Sequence, residues 1–264
     1  MHTPASLFIS HGAPDLVLHD TAARRFLTAA AEGLPRPRAI ISVSAHFETD
    51  QPVVVCDPEP GMIYDFGNFA PELREIVYPA PGDPILANRL LGLIEEAGLN
   101  PTMIGRRGYD HGTWVPLCLL YPAADIPIVQ LSVQPGRSAH HHYALGKVLR
   151  PLVEEGALVI GSGAITHNLS ELFSSSGMLY HRGSPELDWA RAFADWVANR
   201  IAAGDGAALI DYREQGPFAV QNHPTEEHYL PLLVALGASS GGKGERLHRS
   251  TEFALLAMDA FAFE

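Results

Sequence analysis

Five histidines carry the chemistry this sequence can do. Three of them follow apolar runs of strand length. Ser6–Ser10 leads into His11, Ala39–Ser44 leads through Ala45 into His46, and Leu158–Ser162 leads through Gly-Ala-Ile-Thr into His167. In an open α/β sheet the ligand site lies outside the carboxyl ends of the strands. One such histidine would be an ordinary loop residue; three at three strand ends predict a metal or acid/base site. His228 follows Pro224-Thr-Glu-Glu at what reads as a helix start, and with His11 and His46 it forms the expected metal triad. Imidazoles with open coordination positions suit Fe(II) or Zn(II). Glu226 and Glu227 compete with His228 for the third place, because a two-histidine, one-carboxylate triad would use an acid here. Their ordinary alternative is simple: carboxylates are favourable in the first turn of a helix. His167 is the candidate general base, taking a proton from a phenol or water on the metal and returning it later. If it reaches the ion it becomes a fourth ligand. His111, in Tyr-Asp-His-Gly, is a candidate hydrogen-bond donor to substrate or oxygen, with a plain turn histidine as the alternative.

The elements that must position these residues alternate strand and helix. Thr21–Ala31 has strong helix formers behind Asp20 as a cap, and Leu34-Pro-Arg-Pro turns the chain into the 39–44 strand. That order favours a parallel pair with a right-handed crossover. Val53–Cys56 reads as a short strand. Asp57–Pro71 reads as a long irregular loop whose aromatics form either a wall over a flat substrate or a satellite cluster. Pro84–Gly98 is an amphipathic helix and Ile126–Val133 a strand. His140–His142 point three ways and read as the solvated start of a helix running to Leu152. A long helix over Trp189–Ala203 has Ser184 as its cap and Pro185 in its first turn. Ala207–Tyr212 reads as a short helix, Thr225–Gly237 as a helix from its first turn to its end, and Glu252–Phe261 as an edge strand. The whole reads as α/β: one domain over residues 1–264, a three-layer sandwich with a mostly parallel central sheet and helices on both faces.

A chain of 264 residues with 47% hydrophobic and 18% charged residues can bury a substantial core. The net charge of -12, without a basic patch, argues against nucleic acid and anionic membranes as partners. The 13 histidines nearly match the 18 lysines and arginines together, which invites a metal reading. Cys56 and Cys118 sit among apolar neighbours and read as core thiols, not a disulfide framework. The first residues lack a basic n-region, no apolar signal segment follows, and no stretch reaches the roughly 18 residues of a membrane span. A cytoplasmic location is expected.

The sequence resembles the DOPA-4,5-dioxygenase branch of the class III extradiol ring-cleaving dioxygenases. The resemblance rests on Phe8-Ile-Ser-His11-Gly-Ala-Pro, Val43-Ser-Ala-His46-Phe, Ile63-Tyr-Asp-Phe-Gly-Asn-Phe, Tyr109-Asp-His111-Gly-Thr-Trp, Gly161-Ser-Gly-Ala-Ile-Thr-His167-Asn-Leu and Pro224-Thr-Glu-Glu-His228-Tyr-Leu-Pro. These segments run in order over nearly the whole chain. The resemblance implies His11, His46 and His228 as metal ligands, His167 as acid/base residue and His111 as a hydrogen-bond donor behind the ligands. It implies a small aromatic diol and dioxygen as substrates, Fe(II) for activity, and ring opening beside the two hydroxyls. Zn(II) fits the same ligands but cannot do the redox part. Two other functions remain open at this point: a zinc hydrolase in which His167 activates water, and a non-catalytic metal-binding protein on the same fold. Arg106, Arg107 and the loop around Phe66 are candidates for reading the ring substituent, with a surface role as the equal alternative for the two arginines.

Overall fold

The computed structural model describes residues 4–174 and 177–264. Its centre is a six-stranded sheet of β1 (Ser6–Ser10), β2 (Ala39–Ser44), β3 (Ile128–Gln130), β4 (Ala157–Gly163), β5 (Gly244–His248) and β6 (Ala260–Phe263), ordered β3-β2-β4-β1-β6-β5. β3, β2, β4 and β1 pair in parallel, and β6 and β5 add an antiparallel margin. Strands covered on both faces read as continuous apolar runs, which is why the runs of β1, β2 and β4 are so plain in the sequence. All five residues of β1 and all seven of β4 are buried.

Alternate side chains feed two cores. Phe8, Ile41, Val43 and Val159 face α2 (Pro84–Glu96), α4 (Ala139–Val148), α5 (Asp188–Ala203) and α6 (Leu230–Ala238). Leu7, Ile9, Ile40 and Ile160 face α1 (Ala22–Gly33) and α3 (His111–Leu120). This is the expected three-layer sandwich. Each buried Leu, Ile or Phe contributes about 1.5–3 kcal/mol relative to exposure, so both layers are strongly held.

α6 is apolar all round and buried along its whole length, as a helix in the interior must be. Two glycines of β4 let it sit directly on the sheet. A Cβ at Gly161 would stand 2.2 Å from the Pro231 carbonyl oxygen, and one at Gly163 2.1 Å from the His228 carbonyl oxygen. Ala164 N–H donates to that same His228 oxygen at 2.9 Å. Gly163→Ala is therefore expected to cost about 1–3 kcal/mol by overpacking, read as a lower midpoint in urea unfolding, and to push His228 off its position.

Several local expectations give way to tertiary contacts. Thr21, not Asp20, caps α1: its hydroxyl accepts from Arg24 N at 3.2 Å, while Asp20 pairs with Arg25. α5 starts at Asp188 and not behind Ser184, because Leu187 N–H is tied to Ala254 O at 2.8 Å and holds the chain extended there. The expected helix to Leu152 breaks after Val148, and Pro151 opens a second short helix, Arg150–Glu154. The 207–212 helix likewise divides into Gly206–Ile210 and Tyr212–Gln215. Of the three adjacent histidines His140 is exposed and His141 half-buried. His142 is fully buried: its Nε2 accepts from Gln134 N at 3.0 Å and its Nδ1 donates to Ser138 O at 3.0 Å. The 252–261 run is not an edge strand. Thr251–Glu252 and Leu256–Ala257 form a hairpin turned by Phe253 and Ala254 at φ of 51° and 66°. β6 lies inside the sheet and β5 forms its margin. Among the described residues no helix is long and apolar enough to cross a membrane.

Candidate metal centre

The parallel register sets the ends of β1, β2 and β4 level: Ser10 pairs with Gly163 and Ser44 with Ser162. The ladder continues past the strands, with His11 N donating to Gly163 O and Ala45 N to Ser162 O. His11 and His46 therefore leave the sheet side by side. His228 comes from the turn before α6, which the β4 glycines admit to the same end. The helix expected from Thr225 begins only at Leu230, because residues 224–229 are drawn into turns that deliver His228. One ring nitrogen from each of His11, His46 and His228 lies within 4.8 Å of the others. Nε2 of His11 and Nε2 of His46 are 3.1 Å apart. Two nitrogens that share one ion at roughly 2.0–2.1 Å each would stand about 3–3.5 Å apart.

Outer partners fix which nitrogen His11 and His228 offer. The Ser162 hydroxyl donates to Gly112 O, so its oxygen accepts the Nδ1–H of His11 at 3.0 Å. The Nδ1–H of His228 donates to Glu227 Oε1 at 2.9 Å. Both rings are left with an Nε2 lone pair. That of His228 is buried and has no hydrogen-bond partner, an arrangement that costs about 1–3 kcal/mol and that a cation removes. Burial, then the neighbouring imidazoles, hold His11 and His228 well below the ordinary histidine range, and burial first brings His46 down to about 4. Neutral imidazole is the metal-binding form. The three rings thus fit a divalent ion. Carboxylates also come close, in the groupings His46–Asp65–His111 and His167–Glu227–His228. One oxygen of Asp65 and one of Glu227 already accept from imidazole N–H groups, and Glu226 Oε1 is paired with Arg213 and Tyr212. Outer partners of this kind are typically worth 10–100-fold in metal affinity. Ser162→Ala is accordingly expected to weaken zinc binding by about 10–100-fold in competitive chelator titration.

His167 and His111 stand around the triad. The His167 ring stacks flat on His228, with centroids 3.4 Å apart and planes at 10°, and its backbone N–H is held by Asn222 O at 2.9 Å. Burial brings its pKa down to about 4, against the opposing pull of Glu227, so it is a neutral base at pH 7. His111 is the first residue of α3, its ring 3.9 Å from that of His46 between centroids. Asp65 Oδ1 accepts from both its Nδ1 (2.8 Å) and its backbone N (3.1 Å). Burial alone would raise the Asp65 carboxyl, but the bonds and charge of His111 outweigh it and hold it down to about 2.

Two residues around His111 escape a reading of the sequence. Asp65 lies in the irregular loop, 46 positions from the imidazole it holds. Asp110 is the N-cap of α3. It accepts from Thr113 N at 3.0 Å, from Ser44 Oγ at 2.6 Å and from Arg107 at 2.7 Å. A capping Asp directly before His111 was the available signal. Arg107 does not face a substrate: it is tied to Asp110, Gln130 and the His46 carbonyl and lies over Phe47. The histidines open into a cavity of about 340 Å³. Phe66 and Phe69 of the irregular loop line it, and Phe66 also packs edgewise on His111 and at a tilt on Trp114. The loop therefore is both a wall of the site and an aromatic cluster.

The chain matches, over residues 2–263, the family described as the catalytic LigB subunit of aromatic ring-opening dioxygenase. It is 38% identical to a 4,5-DOPA dioxygenase extradiol of Beta vulgaris, covering 98% of this chain and 96% of that protein. It is 39% identical to a protein of the same name from Escherichia coli K12, over 89% and 85% of the two chains. A crystal structure of an uncharacterised Escherichia coli K12 protein superposes with a TM-score of 0.80 at 34% identity, covering all of both chains.

Proposed function

Because the chain belongs to the LigB family of aromatic ring-opening dioxygenases, and is an extradiol ring-cleaving enzyme, we propose that His11, His46 and His228 hold its metal and that a catechol is its substrate. DOPA, after which the relatives are named, is one member of that class. The observation that carries this reading is the buried, unpartnered Nε2 of His228 in one cluster with the rings of His11 and His46, whose own Nε2 atoms are 3.1 Å apart. We assign Fe(II) to the active enzyme and Zn(II) to a bound but inert form. When bound, Fe(II) links an electron-rich ring to dioxygen electronically, which Zn(II) cannot do.

The remaining work falls to the chain. His167, neutral and beside the triad, takes a proton from a catechol hydroxyl and returns it as the ring opens. His111 lines the cavity with its Nδ1 held by Asp65, beside the place where the substrate and dioxygen meet the triad, and serves as a hydrogen-bond partner to them. The apolar walls exclude water and hold a flat ring. One dioxygen is consumed per ring, both its atoms enter the product, the carbon–carbon bond beside the diol breaks, and no outside reductant is needed. The free thiols Cys56 and Cys118 accord with a reducing, cytoplasmic setting.

Oxygen uptake is the test. After anaerobic loading with Fe(II), the protein is expected to consume one equivalent of dioxygen per catechol and form a yellow semialdehyde, and the zinc-loaded protein none. Zinc-supported hydrolysis indifferent to oxygen would replace this reading.

A further inference from the structure

We propose that this site selects catechols bearing an apolar ring substituent, an alkyl or aryl chain of a few carbons, over those bearing a charged amino-acid or carboxylate chain. The proposal rests on the ring-cleavage reading above and concerns the part of the cavity beyond the histidines. That part is built from Phe66, Leu172, Leu256 and Met258. Its rim is apolar as well: Phe69, Leu169, Phe173 and Met178 all line the cavity, yet are 40%, 45%, 48% and 52% exposed. Exposed large apolar side chains gathered at one place mark a binding surface. Here they continue the cavity wall outward, where a ring substituent would run.

Charge is missing where a charged substituent would need it. Among the described lining residues no lysine or arginine occurs, and the one carboxylate, Asp65, is bound to His111. Two arginines stand behind the wall and neither lines the cavity. Arg74 lies 5.5 Å from the Phe66 ring centroid and donates to the Phe66 carbonyl. Arg182 lies 4.8 Å from the Phe253 ring centroid and is held between Asp15 and Glu252. A carboxylate on the substrate would lose water against phenylalanine, leucine and methionine without gaining a partner, which is unfavourable. An alkyl chain gains roughly fourfold in binding for each methylene buried.

The test compares catechol, 4-methylcatechol, 4-ethylcatechol, 4-butylcatechol and L-DOPA. Two readouts are used: oxygen uptake by the Fe(II)-loaded enzyme, and calorimetric binding to the zinc-loaded protein, which does not turn over. We expect kcat/KM to rise along the alkyl series and 4-butylcatechol to exceed L-DOPA by at least tenfold, with the same order in affinity. Leu169→Arg, at a rim position that is 45% exposed, is expected to shrink that ratio by tenfold or more by supplying a cation, with circular dichroism as the control for folding. L-DOPA equal to or better than 4-butylcatechol in both readouts overturns the proposal. Ordered binding to the zinc form without oxygen uptake by the iron form upholds the selectivity and removes the ring-cleavage reading instead.

Discussion

His11→Ala and His46→Ala proteins will fold and yet fail to retain metal. Each substitution removes one of two Nε2 atoms that stand 3.1 Å apart and leaves an incomplete set at the sheet edge. Losing an outer partner of a ligand costs about 10–100-fold in affinity; losing the ligand itself is expected to exceed that, with oxygen uptake falling below detection. The folding core is elsewhere, since both histidines lie beyond their strands and the two apolar layers lack them. Elemental analysis after metal loading and desalting checks the result, with circular dichroism as the control for folding. A full complement of metal in either variant would remove that residue from the ligand set.

His167→Ala is expected to separate chemistry from metal binding. The ring that stacks on His228 is neutral at pH 7 and is placed to move a proton, a role worth typically 10²–10⁴-fold. The variant should hold its metal and lose turnover by about 10²-fold or more. Metal content and kcat measured on one preparation decide between two roles. Metal retained with kcat lost identifies the general base. Metal lost in parallel with kcat identifies a fourth ligand. Unchanged kcat rejects both.

How far the site was legible in the sequence follows from what each residue depends on. β1, β2 and β4 announce themselves because strands buried on both faces are uninterrupted apolar runs, and His11 and His46 stand at fixed offsets from those runs. Their convergence then follows from parallel pairing alone. Asp65 was invisible because nothing near it in the chain hints at His111. Its role is created by the loop folding back over α3. Ser162 was hidden for the opposite reason: it reads as one more buried strand residue, and only the Gly112 carbonyl fixes which way its hydroxyl donates. The misplaced caps at Asp20 and Ser184 share a cause. Either residue could cap, and a distant or neighbouring contact chose another. His142 shows the limit of pattern reading most directly. A histidine triplet looks solvated, yet one of the three satisfies a buried amide that the sequence does not connect to it.

The proposed ligands are drawn from distant parts of the chain. His11 and His46 are 35 residues apart, and His228 arrives from the other side of the molecule's second half. An ion held by all three is therefore a clasp on the fold as well as a reaction centre. It joins the first strand, the second strand and the α6 turn, which are connected in the unfolded chain only through long loops that are costly to close. Any ion that binds the native arrangement and not the unfolded chain raises stability by mass action, by about 2.7 kcal/mol when free metal is a hundredfold above its dissociation constant. Metal supply would then set how long the protein survives heat and proteases, so a cell short of the ion would lose the protein along with its activity.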